Sequence, residues 1–279
     1  MRVILLGNGT KPGVFETVEK LRSEIEYCVT IVAEDWSGKD DFSQIDADLV
    51  IVFGGDGSIL RAVSQMGANP IPLLTVHLGT LSFLSTIQIN ELIPLLKRSD
   101  LLQLPVIRHL LLDCKLYRNG NNSLSRLPDE SRLALNEIVI HGDTTSRLIS
   151  VEMYIDNDLV TTYRADGLIL CTPVGSTARN LSTGGPILRK DIDAVVISPI
   201  CPHTLSNRPL VDSPDRIFEF RVHQDAVLIL DGTEMARICP NDTVRICRAL
   251  QTFNTLDVPG FCYYKALRTK LGWNGSFTE

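Results

Sequence analysis

A run of five apolar residues, Leu49–Phe53, stops abruptly at Gly54-Gly55-Asp56-Gly57, after which the apolar positions recur at helical spacing. No other feature constrains the fold as strongly. A short strand that is apolar at every position needs cover on both faces, which a parallel sheet flanked by helices supplies. A glycine-rich turn from the end of such a strand into a helix lies where open α/β sheets bind ligands. The surrounding chain repeats the rhythm. Strands are expected at residues 3–6, 29–33, 48–53 and 72–77, and helices at 14–25, 58–66 and 90–97. The first of these helices carries Val14, Val18, Leu21 and Ile25 on one face.

Beyond Pro105 the pattern changes to alternation of apolar and polar residues, the mark of half-buried strands. Strands are expected at 109–118, 148–155, 159–163, 167–172, 194–198, 217–222, 226–230 and 243–248, with Asp156-Asn157-Asp158 as a hairpin turn. Residues 119–129 read as a polar surface loop. Residues 263–273 have a helical, Lys- and Arg-rich pattern. The expected architecture is therefore an α/β N-terminal domain with a mostly parallel sheet (1–104) and a predominantly antiparallel β domain (105–260). A C-terminal tail (261–279) returns as a helix to the first domain.

Composition excludes several function classes. The chain has 279 residues and a formal net charge of -6, which argues against a dedicated nucleic-acid binder. No apolar run is long enough to span a bilayer, and the first residues read as a strand rather than a secretory signal. The seven cysteines are scattered, with no Cys-x-x-Cys pair. They fit free thiols in a reducing compartment better than a disulfide framework or metal site. A cytoplasmic location is expected, without membrane or nucleic-acid partners.

Two stretches carry the chemistry. In Gly54-Gly55-Asp56-Gly57-Ser58, glycines let a phosphate approach the backbone, and the amides of the following helix favour negative charge. A carboxylate there would repel phosphate unless it meets a hydroxyl about to be phosphorylated, or a magnesium ion. Asp56 is thus the candidate proton acceptor as a hydroxyl oxygen attacks a γ-phosphorus; a tight turn with Asp as helix cap is the plain alternative. The second stretch runs from Arg164-Ala165-Asp166-Gly167 through Thr172-Pro173-Val174-Gly175-Ser176-Thr177-Ala178-Arg179-Asn180-Leu181-Ser182 to Gly184-Gly185-Pro186. Its hydroxyls and exposed amides suit a sugar or phosphate, with Arg164 and Asp166 as charged partners.

In order and spacing these two stretches resemble the signature segments of the NAD kinase family. Leu78-Gly79-Thr80-Leu81-Ser82-Phe83-Leu84, the pair Asn136-Glu137, the segment at 197–209 and the tail Leu271-Gly272-Trp273 agree with it, so the resemblance spans nearly the whole chain. It implies transfer of a phosphoryl group from ATP or a related donor, inorganic polyphosphate included, to the ribose 2′-hydroxyl of NAD held between the domains. Asp56 would be the proton acceptor, with Gly55, Gly57, Arg61 and Phe83 around it. Asn136 and Glu137 would contact NAD ribose or the transferred phosphate. Arg147 and Arg164 would lie near the ligand's charged parts, Asp166 at the nicotinamide end, and Thr177, Ala178, Arg179, Asn180 and Ser182 around the adenosine. The resemblance also implies Mg2+ accompanying the donor, and a homodimer or homotetramer whose subunits share sites.

The chain departs from the family pattern at Arg179, where a tyrosine is usual, and at His77, Ser82 and Val174. A guanidinium, like an aromatic ring, can stack on a flat base. Two other readings use the same turn: a kinase for a lipid or sphingoid alcohol, and a non-catalytic NAD(P)-binding sensor. Weaker features have plainer explanations. Gly7-Asn8-Gly9 is a poor dinucleotide fingerprint, His203 and Cys201 lack a readable catalytic partner, and 265–270 reads as a solvated basic helix face.

Overall fold

The computed structural model describes residues 1–69, 71–79, 82–84, 86–119, 127–143, 148–204, 206–260 and 262–273. The chain divides into two compact units, Met1–Arg108 with Phe253–Glu279, and His109–Thr252. The first begins with β1 (Arg2–Gly7), α1 (Val14–Cys28), β2 (Thr30–Asp35), β3 (Leu49–Phe53), α2 (Asp56–Met66), β4 (Leu73–His77), β5 (Ile87–Gln88) and α3 (Ile89–Leu96). Its strands lie in the order β2-β1-β3-β4, every pair parallel. All five residues of β3 and of β4 are buried, including Thr75 and His77 of β4, as strands in a doubly covered sheet must be. Helix α2 presents Ile59, Ala62, Val63 and Met66 to the interior, the i, i+3, i+4, i+7 stripe of an amphipathic helix. Helix α3 starts with a capping box in which the Glu91 carboxylate accepts from the Gln88 amide (2.6 Å).

The second unit is built from β6 (Val106–Tyr117, its first three residues in the first unit), β7 (Glu130–Ala134), β8 (Glu137–Gly142), β9 (Ile149–Ile155), β10 (Asp158–Ala165), β11 (Gly167–Cys171), α4 (Arg179–Ser182), β12 (Val195–Ile200), β13 (Leu210–Asp212), β14 (Phe218–Val222), β15 (Ala226–Leu230), β16 (Thr233–Ile238) and β17 (Thr243–Leu256, its last four residues in the first unit). One antiparallel sheet runs β13-β12-β11-β8-β15-β16. A second has β10-β9-β14-β17, with β6 beside β17 and β7 beside β6. Ile138, Ile140, Leu168, Leu170 and Leu228 of the first sheet share a core with Met153, Phe218, Phe220 and Ile246 of the second. Each fully buried Phe there contributes about 2–3 kcal/mol of transfer free energy. The alternate residues Val139, Ile169, Cys171 and Val196 form a smaller cluster on the opposite face, under Leu188, so the central strands are apolar on both sides.

The chain closes with α5 (Tyr263–Leu271), which belongs to the first unit and buries Ala266 and Leu267. This is the helix expected to pack back on the first domain. Asp156 and Asn157 make the expected hairpin turn, both at positive φ (51° and 74°), the backbone that two-residue hairpins demand. Four strands were not expected, β5, β7, β13 and β16, and β8 was marked only by the Asn136-Glu137 pair at its start. Each of the four pairs with a single neighbour, where polar and charged residues blunt the alternation. β17 continues to Leu256, eight residues past its expected end. No helix among the described residues is long and apolar enough to cross a membrane.

Candidate active site

In the first unit the turn after β3 is held by backbone. The Gly54 amide donates to the Val76 carbonyl (2.9 Å), and the Gly55 carbonyl accepts from Ser58 N (2.9 Å) and Ile59 N (3.3 Å). Gly54 has φ 139°, and a Cβ there would overlap the Ser58 hydroxyl. Gly55, in extended backbone, is the N-cap of α2 and supplies no capping side chain. Asp56 is the first helical residue, two residues earlier than the helix start expected from the sequence. Its Oδ1 accepts from the Leu84 amide (3.3 Å), so the carboxylate ties the turn to the segment after β4 rather than capping its own helix. A Cβ built at Gly55 or at Gly57, the residues flanking Asp56, meets nothing within 4 Å among the described residues.

Arg61 lies with its stem against Gly38, where a Cβ would collide with it and φ is 75°. That loop is organised by Asp35, whose carboxylate accepts from Ser37 N (2.6 Å), Ser37 Oγ (2.7 Å), Lys39 N (2.8 Å), Asp40 N (3.1 Å) and Gln65 Nε2 (2.6 Å). Burial pushes this carboxyl up, but the hydrogen bonds from Ser37, Asp40 and Lys39 outweigh it and hold it well below the usual range. Phe83 is half-buried with Lys270 Nζ 5.6 Å from its ring centre. A cavity of about 700 Å3 opens beside β4 and α3, with His77, Glu91, Arg98 and Lys265 among its lining residues; it was not foreseen.

In the second unit a cluster forms at the start of β8. The Asp231 carboxylate accepts from three successive amides, those of Leu135 (2.8 Å), Asn136 (2.7 Å) and Glu137 (3.1 Å). Thr172 N donates to the Asn136 carbonyl (2.9 Å), and Thr172 Oγ1 donates to the Leu135 carbonyl (2.6 Å). Gly175 packs so tightly on this backbone that a Cβ would overlap the Asn136 carbonyl. Arg179 Nε lies 3.7 Å from Glu137 Oε1. Glu137 Oε2 is buried and has no hydrogen-bond partner among the described residues. Burial, then the charge of Asp231, push the Glu137 carboxyl up to about 7 against the opposing pull of Arg179. Burial also raises Asp231, but its three amide donors oppose the rise. Three amide donors thus favour the charged form of Asp231, and the Arg179 cation favours that of Glu137.

The loop after β11 divides the expected site residues by role. Ser176 Oγ donates to the Pro173 carbonyl (2.6 Å) and accepts from Leu188 N (2.9 Å). The Asn180 amide donates to the carbonyls of Ser176 (3.2 Å) and Pro186 (3.0 Å), and its oxygen accepts from Ser198 Oγ (2.6 Å). Both side chains are buried and committed to bracing the loop. Thr177 Oγ1 donates to the Val174 carbonyl (3.2 Å). Thr177 and Ala178 are half-buried, and Arg179 and Ser182 are exposed.

Asp166 and Arg164 lie elsewhere. Asp166 N donates to Ile200 O and Asp166 O accepts from Gly142 N (both 3.0 Å), while its carboxylate has no partner among the described residues. The neighbouring Gly167 pairs with His141, whereas Glu137 pairs with Cys171. Asp166 and Glu137 thus sit at opposite ends of the β8–β11 ladder, about 17 Å apart at 3.3 Å per residue. Arg147 lies outside the described residues. Asp231 was missed, although Asp231-Gly232 between apolar-alternating runs is a strong hairpin signal; both residues have positive φ (48° and 84°).

No group of three or more His, Cys, Asp or Glu side chains that could hold a metal occurs among the described residues. Asp56 alone in an open turn suits a magnesium ion that arrives on nucleotide phosphates, since Mg2+ is commonly held by one or two carboxylates plus those phosphates.

Residues 11–99 match the family model described as the ATP-NAD kinase N-terminal domain, and residues 135–258 match the ATP-NAD kinase C-terminal domain. The chain is 41% identical over 277 residues to an NAD kinase of Rhodopirellula baltica, covering 98% of this chain and 87% of that protein. It is 38% identical over 238 residues to an NAD kinase of Geotalea daltonii, covering 84% and 81%. Two solved structures share the fold. Yeast NADH kinase complexed with NADH has a TM-score of 0.85 at 23% identity, covering 99% of this chain and 89% of that one. An NAD kinase from Archaeoglobus fulgidus in complex with ATP has a TM-score of 0.77 at 22% identity, covering 99% and 100%.

Proposed function

The chain belongs to the ATP-NAD kinase family, and we propose that it transfers the γ-phosphoryl group of ATP to the 2′-hydroxyl of the adenosine ribose of NAD, giving NADP. It is a phosphotransferase with an alcohol group as acceptor. One observation carries the specific chemistry. Asp56 begins α2 with its carboxylate oriented by the Leu84 amide, and glycines on either side keep its surroundings clear. In that position it takes the proton of the attacking hydroxyl. The oxygen–phosphorus bond forms as the bond from γ-phosphorus to the bridging oxygen breaks, and ADP leaves with the electron pair. The amides at the start of α2 favour the anionic phosphates. The reaction draws on positioning and electrostatics more than on covalent chemistry by the protein.

The remaining roles follow from the same reading. Gly55 and Gly57 admit the phosphates, Arg61 supplies a cation near them, and Phe83 borders the turn. Asn136 and Glu137 hold a ribose, and the backbone and side chains at Thr177, Ala178, Arg179, Asn180 and Ser182 shape the adenosine pocket. For Asn180 this means shaping the loop rather than touching the ligand, because its side chain is spent on Ser176, Pro186 and Ser198. Arg164 and Asp166 serve the far end of a dinucleotide, Asp166 at the nicotinamide. Asp56 would hold a Mg2+ arriving on the donor's phosphates, and that ion would screen their charge. The working protein is a cytoplasmic homo-oligomer.

Purified Asp56→Asn protein, given NAD, ATP and Mg2+, should form NADP about 10²- to 10⁴-fold more slowly, the usual contribution of a general base. Its dissociation constant for NAD should stay close to that of the unaltered chain. Undiminished turnover would remove Asp56 from the mechanism.

A further inference from the structure

We propose that Arg179 is a positioning residue acting through Glu137: its guanidinium holds the Glu137 carboxylate as an anion, with Oε2 free to accept hydrogen bonds from the paired hydroxyls of a ribose. The inference rests on the reading of the chain as an enzyme acting on NAD. It starts from a residue that departs from the family pattern, since a tyrosine at this place is uncharged and cannot neutralise a carboxylate.

The geometry confines the effect to one carboxyl. Glu137 is only 4% exposed, whereas the Arg179 side chain is 46% exposed, with its Nε 3.7 Å from Glu137 Oε1. A Cβ at Gly232 would come within 3.7 Å of Arg179 Nη2, so the guanidinium also lies over the turn that carries Asp231. The chain beside Arg179 is braced, because the next residue, Asn180, is held by Ser176, Pro186 and Ser198. The groups facing Glu137 are Asp231 from the β15–β16 turn, Arg179 from α4, and Cys171 from the paired strand β11. Cys171 is a buried thiol raised further by its surroundings, so it is neutral and adds no charge. Among the described residues Arg179 is thus the single cation set against the buried Glu137 and the half-buried Asp231.

A buried carboxylate beside a second one is expelled towards its protonated form. Once protonated, Glu137 would offer a donor where two acceptor oxygens are needed for a diol. The Arg179 guanidinium opposes this. A surface ion pair contributes little, but here one partner is inside, and an opposite charge at this distance lowers a carboxyl pKa by at least about one unit.

The test measures KM for NAD and kcat from pH 5.5 to 9.5 in the unaltered protein, Arg179→Met and Arg179→Lys. A 13C titration of the Glu137 carboxyl runs alongside, its signal assigned by loss in Glu137→Gln. With Glu137 starting near 7, Arg179→Met should shift its titration up by about one unit and raise KM about fivefold at pH 7, the ionised fraction falling by that factor. The KM curves should converge by about pH 9.5, and Arg179→Lys should follow the unaltered protein. A KM offset equal at all pH values, coincident KM curves or an unmoved Glu137 titration would overturn the inference. If the unaltered protein showed no turnover or binding of NAD, the functional reading would fall instead. The carboxyl titration would still decide whether Arg179 controls Glu137.

Discussion

Glu137→Gln should make the protein more stable in alkali while weakening its hold on substrate. Glutamine keeps the shape of the side chain and removes the charge. In the folded chain burial and Asp231 move the Glu137 carboxyl from its ordinary 4.5 to about 7, which makes ionising it in place cost about 3 kcal/mol more than ionising it in the unfolded chain. The sign follows from the direction. A raised carboxyl binds its proton more tightly when folded, so this contribution is fully present below about pH 4.5 and is lost as pH rises through 7. Urea unfolding of both proteins at pH 5 and pH 8 isolates it. The difference in unfolding free energy between Gln variant and unaltered chain should grow in favour of Gln by about 2–3 kcal/mol over that interval. At the same time KM for NAD should rise, because an amide presents one acceptor where a carboxylate presents two. A stability difference that stayed constant from pH 5 to 8 would refute the claim that the fold strains against this charge.

The glycine turn predicts opposite outcomes for adjacent substitutions. Gly54→Ala should lower the unfolding temperature, because its φ of 139° disfavours any side chain and the methyl would overlap Ser58 Oγ. Gly55→Ala, with nothing within 4 Å of its Cβ, should fold normally yet lose phosphoryl-transfer rate as the methyl occupies the space beside Asp56; a fully active Gly55→Ala protein would show that this space is not used. Asp35→Asn should destabilise by about 2–3 kcal/mol at pH 7, since a buried carboxylate accepting several hydrogen bonds is replaced by a group with one acceptor oxygen. Asp35 is held below its ordinary value of 3.8, so its contribution is present above that pH and lost as pH falls further. The deficit, followed by urea unfolding, should therefore shrink in acid.

Much of this protein was legible without coordinates. The run Leu49–Phe53, the helical stripe after it and the glycines between them require a buried parallel strand, a turn and a helix, since each depends on neighbours within a few residues. The hairpin at Asp156-Asn157 follows from the same local logic, and the edge strands β7, β13 and β16 escaped it because their polar faces carry no clear period. The candidate site was only half legible. The glycine turn singled out Asp56 as a candidate and the family resemblance added the Asn136-Glu137 pair, but the partners of each side chain depended on register. Asp231 is 94 residues from Glu137 in sequence yet accepts from its amide. Ser176 and Asn180, promising as ligand contacts, turn inward to brace their loop. Arg179 reads in the sequence as a substitute for a stacking ring; the fold sets it against Glu137. Local pattern determined which elements form and which residues stand at their ends. Only tertiary structure decided which charges are buried together, because that depends on strands meeting across the sheet and on the water their packing excludes.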